Sequence, residues 1–208
     1  IEPNMATMLC YILTDASVEG EDWNGILTPA VDVSFNAISI DGDESTSDTV
    51  VLISSEKIKS DVTEFREALT TLCQRLAADL VRNGEGTSHV IRVTLSNYGV
   101  EKKTAIKLGR HIVNSPLFKC AVAGNDPNIG RLAGAVGSFL GKMEGEESVD
   151  ASKMNFSIGD DLIFSNGVFR IDGDETETKL SGYMKQAQFD EDEKFPSHQK
   201  FVEVGVDF

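Results

Sequence analysis

The stretch Asp61–Leu95, DVTEFREALTTLCQRLAADLVRNGEGTSHVIRVTL, decides the fold class. Its first half places Val62, Phe65, Leu69, Leu72, Leu76 and Leu80 at steps of three and four, one face of a helix over 61–83. Ser60 can cap its start and Gly84 can stop its end. After the turn Asn83-Gly84-Glu85-Gly86, His89 to Leu95 alternates and reads as a strand. Val100 to Val113 then returns to helical spacing and stops at Asn114-Ser115-Pro116. Helix, strand and helix within about fifty residues indicate an α/β or α+β chain with mixed layers.

Working outward, Met5–Leu13 reads as a short buried strand ended by Thr14-Asp15-Ala16. Trp23–Ile38 reads as a helix despite Pro29, and Val50–Ser54 as a strand. Leu117–Ala123 is expected to be a strand, followed by a helix running through Met143. Gly130, Gly134, Gly137 and Gly141 share one face of that helix, which implies close approach of another backbone. Ser165-Asn166-Gly167, between Asp161–Phe164 and Val168–Ile171, is a hairpin signal. A short helix around Thr178–Gln186 precedes a period-two run, Val202, Val204, Val206 and Phe208. The acidic loop Glu144–Asp150 suggests two lobes divided near 144–155.

With 34 acidic and 19 basic residues among 208, the chain carries a formal charge of −15. That balance excludes non-specific nucleic-acid binding, which needs Lys and Arg against phosphates. It also opposes adhesion to anionic membranes, and no apolar run is long enough to span a bilayer. It favours cationic small molecules. Cys10, Cys73 and Cys120 are widely spaced and odd in number, so they read as buried free thiols of a reducing compartment. His89, His111 and His198 lie singly, without the spacing of a metal site. Ile-Asp-Gly-Asp-Glu occurs at Ile40–Glu44 and Ile171–Glu175, yet a calcium loop from Asp41 would need Gly and Glu where Thr46 and Leu52 stand.

Two features have two readings each, and a third has one. The loop Gly124–Arg131 lacks the pattern of a P-loop or dinucleotide site; it is either structural or an anion contact through helix-start amides. Glu85, between two glycines, is either a solvated turn residue or a carboxylate for a substrate ammonium. Thr7, in Pro3-Asn4-Met5-Ala6-Thr7-Met8-Leu9, reads alone as an ordinary strand residue.

Taken in order, these segments resemble one family. Pro3–Leu9 followed by Thr14-Asp15-Ala16 is similar to the β-chain start of ornithine acetyltransferases, the bifunctional glutamate N-acetyltransferases of arginine biosynthesis. The resemblance continues through Ser34-Phe35-Asn36, Asp41-Gly42-Asp43, Ser45-Thr46 and Asp48-Thr49-Val50. It extends to Gly84-Glu85-Gly86, Asn114-Ser115-Pro116-Leu117, and Asp126-Pro127-Asn128 with Gly130-Arg131. The order is kept from residue 3 to about 140. Where the family has Ala-Thr-Lys after Glu-Gly, this chain has Thr87-Ser88-His89, and Ile129 replaces an aromatic residue.

The resemblance implies a self-processing, N-terminal-nucleophile-type acetyltransferase fold, cut at Ala6–Thr7. Residues 1–6 would then be an α-chain tail and 7–208 a β-chain region pairing with an absent α chain, its C-terminus truncated. Thr7 would be nucleophile and, through its freed α-amine, base; Glu85 would contact substrate. Asn128 and Arg131 are the candidates in the glycine loop. The implied substrates are N-acetylornithine and glutamate. No metal or organic cofactor is implied; acetyl-CoA is a further donor in some members. The implied assembly is two α and two β chains, in a bacterial cytoplasm or mitochondrial matrix. The rivals are a related self-processing amidase or aminopeptidase and a non-catalytic acidic binding module.

Overall fold

A computed structural model describes residues 8–20, 22–42, 45–97, 101–143, 151–171, 173–190, 193, 196 and 200–208. Ala6–Thr7, Asp43-Glu44, the 144–150 loop and parts of the 190–199 segment lie outside the described residues. The chain divides into two compact units, Ile1–Glu85 and Gly86–Phe208. The division expected near 144–155 instead falls within the second unit, because the strands after it join the sheet that begins before it.

In the first unit, β1 (Leu9–Ser17) pairs in parallel with β2 (Thr49–Lys59), from Leu9↔Thr49 to Ser17↔Lys59. β1 does not end at Thr14-Asp15-Ala16: the polar pair sits in an irregularity of register, and Ala16 returns to the buried face. α1 (Trp23–Asp32) contains Pro29 and buries Ile26 and Ala30. It stops short of Ile38 because Ser34 Oγ donates to the Ala30 carbonyl at 2.6 Å, and the chain tightens into a 3-10 turn at Phe35–Ala37.

α2 (Val62–Arg82) matches the helix expected from the sequence, with two changes. Its cap is Asp61 rather than Ser60, the carboxylate accepting from the Thr63 and Glu64 amides at 2.8 and 3.0 Å. Its most buried line is Leu69, Cys73 and Ala77, while Leu72 is exposed. Together α1 and α2 cover the Cys10, Ile12, Val50 and Leu52 face of the β1–β2 pair.

The second unit holds a five-stranded sheet in the order β3-β7-β4-β5-β6. These strands are β3 (Ile91–Ser96), β4 (Asn155–Ile158), β5 (Asp161–Ser165), β6 (Val168–Phe169) and β7 (Val202–Asp207). β3 and β7 are parallel and the remaining pairs antiparallel. The period-two run at the end of the sequence thus becomes an interior strand, with Val202, Val204 and Val206 buried. Asn166 (φ 51°) and Gly167 (φ 75°) make the hairpin turn, both in the left-handed region the Asn-Gly pair supplies.

The α-helices among the described residues of this unit are α3 (Lys102–Val113), α4 (Pro116–Ala123), α5 (Ile129–Leu140) and α6 (Gly173–Ala187). α4 corrects the strand expected over Leu117–Ala123. Phe118, Ala121 and Val122 are buried while Leu117 is exposed, a helical spacing. Ser115 Oγ accepts from the Phe118 amide and Pro116 occupies the first turn, a helix start. The glycine face of α5 is also corrected: a Cβ at Gly134 or Gly137 would meet nothing within 4 Å, and both are exposed. The helix instead buries Ile129, Leu132, Ala135 and Val136. Of the thiols, Cys73 is buried, Cys10 half-buried and Cys120 exposed, so the expectation of buried thiols fails at Cys120.

Candidate functional site

Ala6 and Thr7 precede the first described residue, and the structure begins by anchoring their neighbour. The Met8 amide donates to Asp48 Oδ1 at 2.9 Å, and the Met8 carbonyl accepts from the Thr49 amide at 2.8 Å. The second Asp48 oxygen accepts from the Ser45 amide at 3.4 Å. One carboxylate therefore ties the entry of β1 to the turn before β2. Asp48 was legible as part of a motif, but its role was not. Only the parallel register brings residue 48 beside residue 8.

Glu85 lies in the turn after α2 and is exposed, followed by Gly86 at φ 70°. A left-handed glycine there lets the chain reverse with the carboxylate facing outward from the turn. Four residues on, His89 links two loops. Its Nδ1 lies 3.0 Å from Ser88 Oγ and its Nε2 lies 3.1 Å from Asn125 Oδ1. Asn125 Nδ2 donates onward to Gln188 Oε1 at 3.2 Å. The segment where the family's Ala-Thr-Lys is replaced is thereby fastened to the loop between α4 and α5. His89 stands alone in the sequence, and only the fold brings Asn125, 36 residues on, to its ring.

Asn128 and Arg131 belong to that loop and both make bonds that shape it. Asn128 caps α5, its Oδ1 accepting from the Arg131 amide at 3.3 Å, while its Nδ2 donates to Asp126 Oδ2. Arg131 Nη1 reaches back to the Leu117 carbonyl at 3.1 Å, joining α5 to α4. These bonds favour the structural reading of the loop. The chemistry available is thus an exposed carboxylate, a helix start held by its own side chains, and a tightly anchored strand entry immediately after Thr7. No His, Cys, Asp or Glu cluster suited to a metal occurs among the described residues. No described helix is long and apolar enough to cross a membrane.

The model of the ArgJ family matches residues 1–199. The chain belongs to the ArgJ family. Arginine biosynthesis bifunctional protein ArgJ 2 of Clostridium acetobutylicum is 40% identical over 168 residues, 80% of this chain and 42% of that protein. A glutamate N-acetyltransferase of Methanocaldococcus jannaschii is 41% identical over 162 residues, 75% of this chain and 40% of that protein. The chain thus spans less than half the length of these curated relatives. The crystal structure of arginine biosynthesis bifunctional protein argJ from Bacillus halodurans shares the mixed α/β fold. It has a TM-score of 0.78 and 27% identity, covering 96% of this chain and 87% of that one.

Proposed function

We propose that the chain is the β-chain region of an ArgJ acetyltransferase that moves acetyl from N-acetylornithine to glutamate through Thr7. The observation that carries this reading is the ordered family pattern around Ala6-Thr7-Met8, in a chain whose family model runs from residue 1 to 199. A relative's name, glutamate N-acetyltransferase, supports the acceptor.

The chemistry explains why threonine follows the cut. A hydroxyl needs a base beside it, and a free α-amine with an ordinary pKa of about 7.7–8.0 is close to neutrality. Thr7 supplies both only after the Ala6–Thr7 amide is gone. In processing, Thr7 Oγ attacks the Ala6 carbonyl, the peptide nitrogen leaves as the amine, and water cleaves the resulting ester.

In transfer, Oγ attacks the acetyl carbonyl as its proton passes to the Thr7 amine. The C–N bond breaks and ornithine leaves carrying that proton. The neutral amine of glutamate then attacks the acetyl ester, and Thr7 Oγ regains a proton as the C–O bond breaks. This is a ping-pong sequence without a metal or organic cofactor. Glu85 pairs with the substrate ammonium. Oxyanion donors come from the α chain, which joins the β chain in an assembly of two α and two β chains. Acetyl-CoA is an alternative donor to the same hydroxyl.

The full-length protein should run as two chains on a denaturing gel, and its Thr7→Ala variant as one. Two chains cut at the same bond in the variant would remove Thr7 from the mechanism. After incubation with N-acetylornithine, intact mass should show one acetyl on the β chain, located at Thr7. Added glutamate should remove it as N-acetylglutamate; release only as acetate would identify a hydrolase.

A further inference from the structure

We infer that His89 and Asn125, with Gln188, are positioning residues for the proposed substrate carboxylate: a ring of hydrogen bonds through them fixes the stretch 86–89 that leads away from Glu85. The inference rests on the proposed contact of Glu85 with substrate and adds the groups that hold the exit of its turn.

Three stretches far apart in sequence close the ring. The Ser88 carbonyl accepts from the Phe189 amide at 2.9 Å. Gln188 Oε1, next to Phe189 in the chain, accepts from Asn125 Nδ2 at 3.2 Å. Asn125 Oδ1 lies 3.1 Å from Nε2 of His89, which follows Ser88. Because Asn125 spends its amide donor on Gln188, its oxygen is the acceptor for the imidazole. Nε2 therefore carries the proton, and Nδ1 accepts from Ser88 Oγ at 3.0 Å. Both ring nitrogens are used. Phe189, and Val90 directly after His89, are buried, which leaves the bonded stretch little freedom. Asn125 holds a left-handed backbone, φ 55°, a conformation that asparagine tolerates better than most residues.

Glu85 is thus held from both directions along the chain. Before it, the Asn83 and Gly84 amides donate to the Asp79 and Val81 carbonyls at 3.0 and 3.4 Å, at the end of α2. After it, Gly86 turns the chain at φ 70° and the ring begins at Ser88. A turn fastened at both ends loses less freedom when its carboxylate engages a ligand. A lysine at position 89, the family's residue, has donors only and could not accept from Ser88. The two substrates should feel the ring differently. N-acetylornithine keeps a side-chain ammonium for Glu85, whereas the single amine of glutamate is the group that attacks. The ring therefore acts on the donor half of the ping-pong sequence.

The test uses the full-length protein with His89→Leu, Asn125→Gly, His89→Gln and Glu85→Gln. Leucine removes both ring nitrogens, glycine deletes the Asn125 amide while keeping the left-handed backbone, and glutamine can still donate to Asn125. In His89→Leu and Asn125→Gly, kcat/KM for N-acetylornithine should fall about tenfold while that for glutamate stays within about twofold of wild type. His89→Gln should recover most of the loss. In the same two variants the Phe189 amide should exchange hydrogen about tenfold faster, read by mass spectrometry of overlapping peptides, while the Val204 amide in β7 keeps its rate. An unchanged donor kcat/KM, an equal fall for donor and acceptor, a loss in His89→Gln as large as in His89→Leu, or an unchanged Phe189 amide overturns the inference. If one of the two disrupting variants fails to fold by circular dichroism, the other reads the same ring. Glu85→Gln separates the two claims. An intact donor kcat/KM there overturns the Glu85 contact itself; a fall there with none in His89→Leu and Asn125→Gly overturns the role of the ring alone.

Discussion

Asp48 anchors the residue that follows the proposed nucleophile. Its carboxylate holds the Met8 amide, one peptide bond from Thr7. A charge-assisted hydrogen bond at this partly solvated place contributes about 1.5 kcal/mol, roughly tenfold in a rate that depends on it. Asp48→Ala in the full-length protein is therefore expected to slow chain separation about tenfold, followed on a gel over time. An unchanged rate would show that the start of β1 is positioned by other contacts.

The cysteines make a second residue-scale case. Burial pushes the Cys10 thiol up; Cys73 is also pushed up, first by burial and then by Cys10, against a bond with Ser34. The thiolate is the reactive form, so raised values and poor access act in the same direction. Alkylation of the folded chain should modify the exposed Cys120 first, Cys10 more slowly and Cys73 last, as read by peptide mass. Early modification of Cys73 would mean that the first unit opens readily.

Among elements, the second sheet is tied at one end by a single carboxylate. Asp207 accepts from Ser96 Oγ at 2.7 Å, Asn97 Nδ2 at 2.6 Å and Asn155 Nδ2 at 3.4 Å, joining β3, β7 and β4. The bonds from Ser96 and Asn97 hold its carboxyl below the usual value, partial burial opposing and Asn155 assisting. A lowered carboxylate contributes stability that is present above its unfolded pKa of about 3.9 and lost as pH falls through the folded value. The urea midpoint should therefore fall more steeply below about pH 4 in wild type than in Asp207→Asn. Parallel pH profiles would show that these bonds do not favour the ionised form.

Gly159 carries a second element-scale constraint. Its φ is +57°, and an added Cβ would stand 3.0 Å from the Tyr183 ring. That ring is fixed by its hydroxyl, which donates to the Phe201 carbonyl and accepts from the Glu203 amide. Gly159→Ala combines left-handed strain with a ring displacement and should cost about 1–3 kcal/mol. Urea denaturation of this chain reads it; a loss below about 0.5 kcal/mol would mean that the ring and turn relax freely.

At the scale of the whole molecule, the two units differ in what covers them. The sheet of the second unit has five strands and a core reaching Leu108, Ile112, Phe118, Leu180 and Met184. Among the described residues the first unit has two strands, with Leu9, Tyr11, Leu13 and Ile53 exposed. Local opening is easiest where buried apolar contact is least. In hydrogen exchange of this chain, β1 and β2 amides should exchange at least tenfold faster than those of β7 and β4. Equal rates would show that the first unit is as well supported as the second.

The sequence by itself determined the class, the family and the candidate chemistry. Long periodic segments such as α2, the Asn166-Gly167 turn and the ordered motifs around Thr7 and Glu85 are local signals, and local stereochemistry or short spacing suffices to read them. Only the tertiary structure decided the rest. Leu117–Ala123 is too short and too apolar for periodicity to distinguish helix from strand, and packing of Phe118 and Val122 selects the helix. Asp48 reaches Met8, and His89 reaches Asn125, across 40 and 36 residues that no spacing rule connects. The open face of β1 is likewise invisible in its composition. An apolar run records that a strand prefers cover, while only the assembled layers determine which side receives it.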